Sequence, residues 1–168
     1  MKPAQEDYIP YYDYYIQLVK DTDVLPALEN TKQDMLRFIQ SIPEEKADYA
    51  YASGKWSIKQ VINHIIDTER IFGYRALRFA RGDAQLVPPF DENLYAANAN
   101  LSNSTLALLC EEFETVRKAN QLMFQQLNAA ELNHKGKTAA GEVSVLAIGF
   151  MLCGHGLHHI QVIQDRYF

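Results

Sequence analysis

Residues 143–167 read VSVLAIGFMLCGHGLHHIQVIQDRY, and this stretch decides how the rest of the chain can fold. Its first half, VSVLAIGFMLC, is apolar on every side when it is drawn as a helix. A helix that is apolar all round is buried, either centrally in its own fold or under a partner subunit. The remaining residues must therefore supply elements that surround this helix.

Three further segments have the apolar spacing of amphipathic helices, with apolar residues recurring at three- and four-residue steps. The second of them opens with a capping box, in which Ser57 and Gln60 satisfy each other's backbone amides. The four predicted helices run over about 23–41, over about 57–81, from near 102–104 through 127, and over 143–167, and a short helical turn over 11–20 comes before the first.

No segment shows the alternating pattern of a β-strand, so the sequence predicts an all-α fold. Four long helices in 168 residues fit a four-helix bundle, and this length fits one domain spanning 1–168. The connection over 82–101 is long for a bundle. Connections of that length either cross over the bundle or cover a site.

The composition excludes several classes of function. The formal net charge is -5 and no basic stripe is present, which argues against nucleic acid as a partner. No apolar run is long enough to cross a bilayer, and the polar, Tyr-rich start lacks the apolar centre of a signal peptide. Cys110 and Cys153 lie in apolar helical patterns and are expected to be buried thiols. Together these features predict a cytoplasmic protein with no membrane association.

The last helix carries three of the five histidines. His155 and His159 are four residues apart and therefore lie on one face, in line with the apolar Leu152 and Val162. This spacing allows one helix to offer two imidazoles to one metal ion at about 2.1 Å. The pair is the strongest indication of a metal site in the sequence.

His64 is the predicted third ligand. It lies on the inward face of the second helix with Val61, Thr68 and Phe72. If the second and fourth helices are neighbours, His64 meets the other two histidines, and three histidines with an open position make a catalytic type of metal site. The alternative is that the histidines are packed in the core without metal.

The residues around these histidines leave several roles open. Gly154 and Gly156 weaken a helix, and either a close ligand or close helix packing would explain them. His158 is expected beside the site or at the surface, and no catalytic residue is assigned. Asp67 either orients His64, acts as a base or is a flanking charge. Glu69 points away from His64 and is expected to pair with a Lys or Arg.

At this point the sequence resembles the DinB/YfiT-like superfamily, a group of metalloenzymes. The similar segments are GKWSIKQVINHIIDTERIFGYRALRFARGD, around the first histidine, and GHGLHHIQVIQDRY, with its His-x-x-x-His spacing. The middle stretches FDENLYAANANLS and EEFETVRKANQLM, and the opening YYDYYIQLVKDTDVLPALEN, have the same likeness. The resemblance thus covers nearly the whole chain.

The resemblance implies an up-down-down-up four-helix bundle that forms a homodimer. It also implies a divalent transition metal (Zn, Ni, Fe or Mn) held by His64, His155 and His159. Some members use a low-molecular-weight thiol as cosubstrate, and most have no assigned reaction. One departure is Gly156, where relatives often have Glu, and this departure puts catalytic competence in question.

The leading hypothesis is a metal-dependent enzyme acting on a small molecule, first of all a thiol S-transferase. A metal with an open position can favour the thiolate, which is the nucleophile. The alternatives are a metal-dependent hydrolase using water at the same position, and a non-enzymatic dimeric binding or stress-response module whose metal is structural or absent. Metal affinity is expected to fall as the pH drops through about 6.5, because ligating histidines must be unprotonated.

Overall fold

The computed structural model describes residues 1–168, and four long helices dominate it. In chain order the helices and strands are α1 (Asp13–Leu18), α2 (Val24–Ser41), α3 (Ile58–Ala80), α4 (Glu92–Asn98), α5 (Leu106–Gln125), α6 (Ala129–Asn133), β1 (Lys135–Thr138), β2 (Gly141–Ser144) and α7 (Val145–Tyr167). Short 3₁₀ turns cover Gln5–Asp7, Pro10–Tyr12 and Glu44–Lys46. The predicted all-α four-helix bundle is confirmed in α2, α3, α5 and α7.

The four long helices form a ring in which α7 packs between α2 and α3, and α5 packs between the same two helices on the opposite side. Contacts fix the directions. Lys59, near the start of α3, donates a hydrogen bond to a residue just before α5. Asn120, late in α5, donates to Glu69, which lies further along α3. The two helices are therefore parallel. Glu44, just after α2, bonds the first turn of α5, so α2 and α5 are antiparallel.

The fourth helix completes the arrangement. The α7 residues Gly149 and Gly156 face Val24 and Met35 of α2 in the same order, so α7 runs parallel to α2. The bundle is therefore up-down-down-up, as the resemblance implied. The long connection between α3 and α5 is needed because those two helices are parallel neighbours.

The helix starts follow their local sequence signals. The capping box at Ser57 is present, with the Ser57 hydroxyl accepting from the Gln60 amide and the Gln60 side chain accepting from the Ser57 amide. The third predicted helix begins later than expected, after the cap at Thr105, whose hydroxyl accepts from Leu108. The last helix begins at Val145, because residues 143–144 belong to β2.

The prediction that no strand exists is wrong for a small antiparallel hairpin, in which Lys135 pairs with Ser144 and Thr138 pairs with Gly141. These four-residue strands are too short and too polar to show an alternating pattern. The turn depends on Gly141, which has a φ of +141°. Gly136 passes so close to the Phe79 ring that a Cβ there would lie 1.9 Å from it.

The prediction that no segment could cross a bilayer also needs correction. By length and composition alone, α7 is long and apolar enough to do so, because it continues for 23 residues through its glycines and histidines. In the structure 56% of its most apolar stretch is buried inside the protein. It is the only helix of this kind, and it packs as the core helix of the bundle, between α2 and α3.

A polar layer crosses the middle of the bundle and separates two apolar clusters. One cluster surrounds Phe79, Phe124 and Phe150, and the other surrounds Ile62 and Phe113. The residues between them are polar on every helix: Thr31 and Lys32 on α2, Thr68 and Glu69 on α3, Arg117, Asn120 and Gln121 on α5, and His155 and His159 on α7. The predicted metal ligands, which are half-buried, therefore lie at the level of these buried polar groups.

The glycines on either side of His155 have different surroundings. A Cβ on Gly154 would lie 1.9 Å from the carbonyl oxygen of Tyr15, because the backbone of α1 crosses α7 there. A Cβ on Gly156 would meet only the Met35 side chain, at 3.4 Å. Close packing of α1, rather than room for a ligand, explains Gly154.

This difference predicts that alanine substitutions at the two glycines have different effects on the free energy of unfolding. Gly154→Ala is expected to lower the free energy of unfolding by roughly 1–3 kcal/mol, because the backbone of α1 must move away. Gly156→Ala is expected to be neutral or to stabilise by up to about 1 kcal/mol through the higher helix propensity of alanine. Urea unfolding of both variants beside the wild type measures this, and equal effects would contradict the proposed role of α1.

Candidate metal centre

The three predicted ligands converge at one point. The Nε2 atom of His155 lies 3.1 Å from Nε2 of His64 and 3.1 Å from Nε2 of His159. One ring nitrogen from each residue can be chosen so that all three lie within 4.8 Å of one another. The i, i+4 spacing on α7 supplies two of them, and the packing of α3 against α7 supplies the third.

These distances fit a metal ion. Two nitrogens bound to one ion at about 2.1 Å with tetrahedral geometry lie about 3.4 Å apart, close to the 3.1 Å observed. Hydrogen bonds among the three rings do not satisfy all of their nitrogen atoms, because Nδ1 of His159 is buried and has no hydrogen-bond partner. Imidazole nitrogens suit Zn, Ni, Fe and Cu alike, so the site fits a divalent transition metal without selecting one.

Burial keeps the three imidazoles neutral, which is the form that binds metal. Desolvation lowers the pKa of His64 to about 4 and that of His159 to about 3. Desolvation and then the neighbouring histidines hold the pKa of His155 well below its usual range. In the folded protein, competition between protons and metal therefore begins at a lower pH than the 6.5 expected from the sequence.

The same shifts predict an acid-sensitive fold when the metal is removed. Between about pH 4 and the unfolded-state pKa of about 6.5, the unfolded chain binds more protons than the folded one, so stability falls as the pH falls. Urea unfolding at pH 5, 6 and 7 in chelator should show this loss. His159→Gln should make the slope shallower, by up to about 1.4 kcal/mol per pH unit. The exposed His134→Gln is the matched control, and equal slopes in the two variants would contradict the prediction.

The histidine cluster opens into a cavity of about 360 Å³. Aromatic side chains form much of its wall. The sequence predicted that His158 would lie beside the site or at the surface. The structure puts His158 in the wall itself, edge-on to the rings of Tyr14 and Tyr15 at 5.5 Å. The lining residues are Tyr11, Tyr12, Tyr15, Trp56, His64, Thr68, Phe72, Arg75, Pro89, Phe90, Glu92, Met151, His155, His158 and His159.

The structure decides between the alternatives that the sequence left open for Asp67 and Gly156. Asp67 does not bond His64, because it accepts a hydrogen bond from Asn63 and lies 4.0 Å from Arg70, so it is a flanking charge. Gly156 does not line the cavity, because its missing side chain would face Met35 of α2. The absence of Glu at 156 therefore removes no group from the cavity wall of this chain.

The cavity gains an acid that sequence reasoning missed. Glu92 begins α4, within the long 82–101 connection, and lines the cavity beside Phe90. Burial lowers the pKa of His64, and the negative charge of Glu92 raises that pKa by a smaller amount. Glu92 makes no ion pair. Its only sequence signal was the unusual length of the connection, which in the structure covers one side of the site.

The fold and the site define a class: a four-helix bundle whose core presents three histidines to a partly open cavity lined largely by aromatic residues. Residues 27–163 match the family model of the DinB superfamily. The chain belongs to the DinB superfamily, and the resemblance noted in the sequence is thereby confirmed.

Relatives in this family bear names that refer to metals. A protein of Oceanobacillus iheyensis, named "putative metal-dependent hydrolase", is 28% identical over 145 residues, which cover 83% of this chain and 81% of the relative. A protein of Geobacillus kaustophilus with the same type of name is 24% identical over 139 residues, covering 80% and 77%.

One solved structure is similar over nearly the whole chain. YfiT from Bacillus subtilis, described as a probable metal-dependent hydrolase with an unusual four-helix bundle topology, superposes with a TM-score of 0.71. The superposition covers 98% of this chain and 90% of YfiT, at 16% sequence identity. At that identity the likeness establishes the fold.

Proposed function

We propose that this protein is a metal-dependent hydrolase of a small organic substrate, with His64, His155 and His159 as the metal ligands. The observation that carries the proposal is the convergence of three neutral imidazoles at the wall of one cavity. Three protein ligands with an open position are the usual arrangement of a catalytic site, whereas structural sites have four. The names of the relatives point to the same reaction class.

The chain's own residues supply the rest of the site. A divalent ion bound by three imidazoles would act as a Lewis acid toward water or a carbonyl group. Phe72, Phe90 and Tyr15 line the cavity and offer apolar surface to the body of a substrate. Glu92 is the only carboxylate in the wall, so it is the candidate proton acceptor for an attacking water.

The thiol S-transferase hypothesis uses the same histidines and differs in the nucleophile. No residue of the cavity wall selects a thiol over water, so the response to an added thiol separates the two reactions. Zinc-loaded protein should be assayed with 4-nitrophenyl esters and anilides, with and without bacillithiol, glutathione or coenzyme A. Turnover that needs metal and not thiol supports hydrolysis, and turnover that needs thiol supports transfer.

Substitution of Glu92 tests the proposed chemistry directly. Glu92→Gln should lower kcat by about 100-fold or more while the metal content stays at the wild-type value, because the acceptor is lost and the ligands are not. The matched control is Glu111→Gln, which removes an exposed carboxylate of α5 that forms no ion pair. Metal bound without turnover of any compound, in wild type and variants alike, would favour the binding-module alternative.

A further inference from the structure

The cavity contains a positive charge that the proposed hydrolysis does not use. Arg75 lies on α3 in the cavity wall and is only 6% exposed. No carboxylate pairs with it: its one polar contact is a hydrogen bond of 2.8 Å from its guanidinium to the carbonyl oxygen of Pro88. A guanidinium has five donors, so most of them remain without a protein acceptor.

Aromatic rings hold this guanidinium in place without neutralising it. The guanidinium carbon lies 5.0 Å from the centre of the Phe72 ring and 5.9 Å from that of Phe90. Such contacts stabilise a cation but leave its charge uncompensated. Burial lowers the pKa of Arg75, as expected for a charge that lacks a counter-ion.

A second polar group in the wall also lacks a partner. Thr68 is 2% exposed, lines the cavity, and its hydroxyl makes no hydrogen bond. It lies one turn along α3 from His64, on the same face, and Phe72 and Arg75 follow on that face. The cavity thus has unsatisfied polar groups at two levels along α3, with apolar rings between them.

We propose that the substrate is a small organic acid whose carboxylate pairs with Arg75 while its reacting group lies at the histidine cluster, near Thr68. This rests on the proposed function and adds the substrate class to it. A planar guanidinium matches a carboxylate in a two-point hydrogen-bonded pair. A single arginine balances one negative charge, which favours a carboxylate over a phosphate dianion.

The geometry also sets the length of the substrate. Arg75 lies eleven residues after His64 on the same face of α3, so about three helical turns separate the two groups. An acid with an apolar body of several carbon atoms is needed to reach from one group toward the other. Shorter acids would reach only one of the two ends.

Binding tests the charge recognition without any need for metal. In chelator-treated protein, calorimetry should show 3-phenylpropionate binding at least about tenfold more tightly than its neutral amide. Arg75→Gln should abolish this preference and Arg75→Lys should keep part of it. The control Arg78→Gln, which removes an arginine already paired with Asp83, should leave the preference unchanged.

Equal binding of acid and amide, binding of neither, or an unchanged preference in Arg75→Gln overturns the proposal. Tighter binding of 2-phenylethylphosphonate than of the carboxylate also overturns the carboxylate assignment. In zinc-loaded protein, Arg75→Gln should raise KM for the mono-4-nitrophenyl ester of adipic acid at least about tenfold more than it raises KM for 4-nitrophenyl hexanoate. A carboxylate preference without any esterase activity would refute the hydrolase and keep the anion site.

Discussion

His155→Ala should abolish metal binding. Wild-type protein purified without a histidine tag is expected to carry about one divalent ion per chain, and the variant none. His155 is the central residue of the histidine cluster, because its Nε2 lies 3.1 Å from the Nε2 atoms of both other histidines. Loss of a residue that only supports a ligand costs 10–100-fold in metal affinity, so loss of the central ligand should cost more than about 100-fold.

Elemental analysis of both proteins, with titration of Zn, Ni, Mn and Fe into the metal-free forms, measures this effect. His158→Ala is the matched control, since His158 is half-buried in the same cavity wall but lies outside the converging cluster. It should bind metal like the wild type. Absence of metal from the wild type after all four titrations would mean that the histidines are core packing and that the enzyme proposal fails.

The second large effect is expected at the buried ion pair between Arg117 of α5 and Glu69 of α3. Arg117→Met should lower the free energy of unfolding by about 3–5 kcal/mol, because it leaves the Glu69 carboxylate buried without its charge partner. Arg117 is 0% and Glu69 is 1% exposed. The Arg117 guanidinium also donates to the Thr31 hydroxyl and to the carbonyl oxygens of Leu28 and Leu152, so it joins all four long helices.

The control for this prediction is another ion pair between the same two helices. Arg70 donates to Glu112 at 2.7 Å, but the Arg70 side chain is 48% exposed. Arg70→Met should therefore cost less than about 1 kcal/mol. Combining Arg117→Met with Glu69→Leu should recover much of the lost stability, since both charges are then gone. Urea unfolding measures all three variants, and equal costs for Arg117→Met and Arg70→Met would contradict the role of burial.

The sequence by itself determined the helices and the face on which each histidine lies. Apolar spacing, the Ser57 capping box and the i, i+4 spacing of His155 and His159 are properties of short segments, and a short segment carries them wherever it packs. Glu69 was correctly expected to pair with a basic residue. The homodimer and the cytoplasmic location, for which the resemblance and the composition argued, stay predictions.

Only the tertiary structure decided which distant groups meet. Arg117 pairs with Glu69 48 positions away, Glu92 lines the same cavity as the histidines, and the backbone of Tyr15 packs against Gly154. None of these contacts has a periodic signal, because each depends on how separate segments pack against one another. The same holds for the unpaired charge of Arg75. From the sequence alone, Arg75 is indistinguishable from the surface residues of an amphipathic helix. Only in the folded chain does its guanidinium lie against the aromatic rings of the cavity wall, without a carboxylate partner.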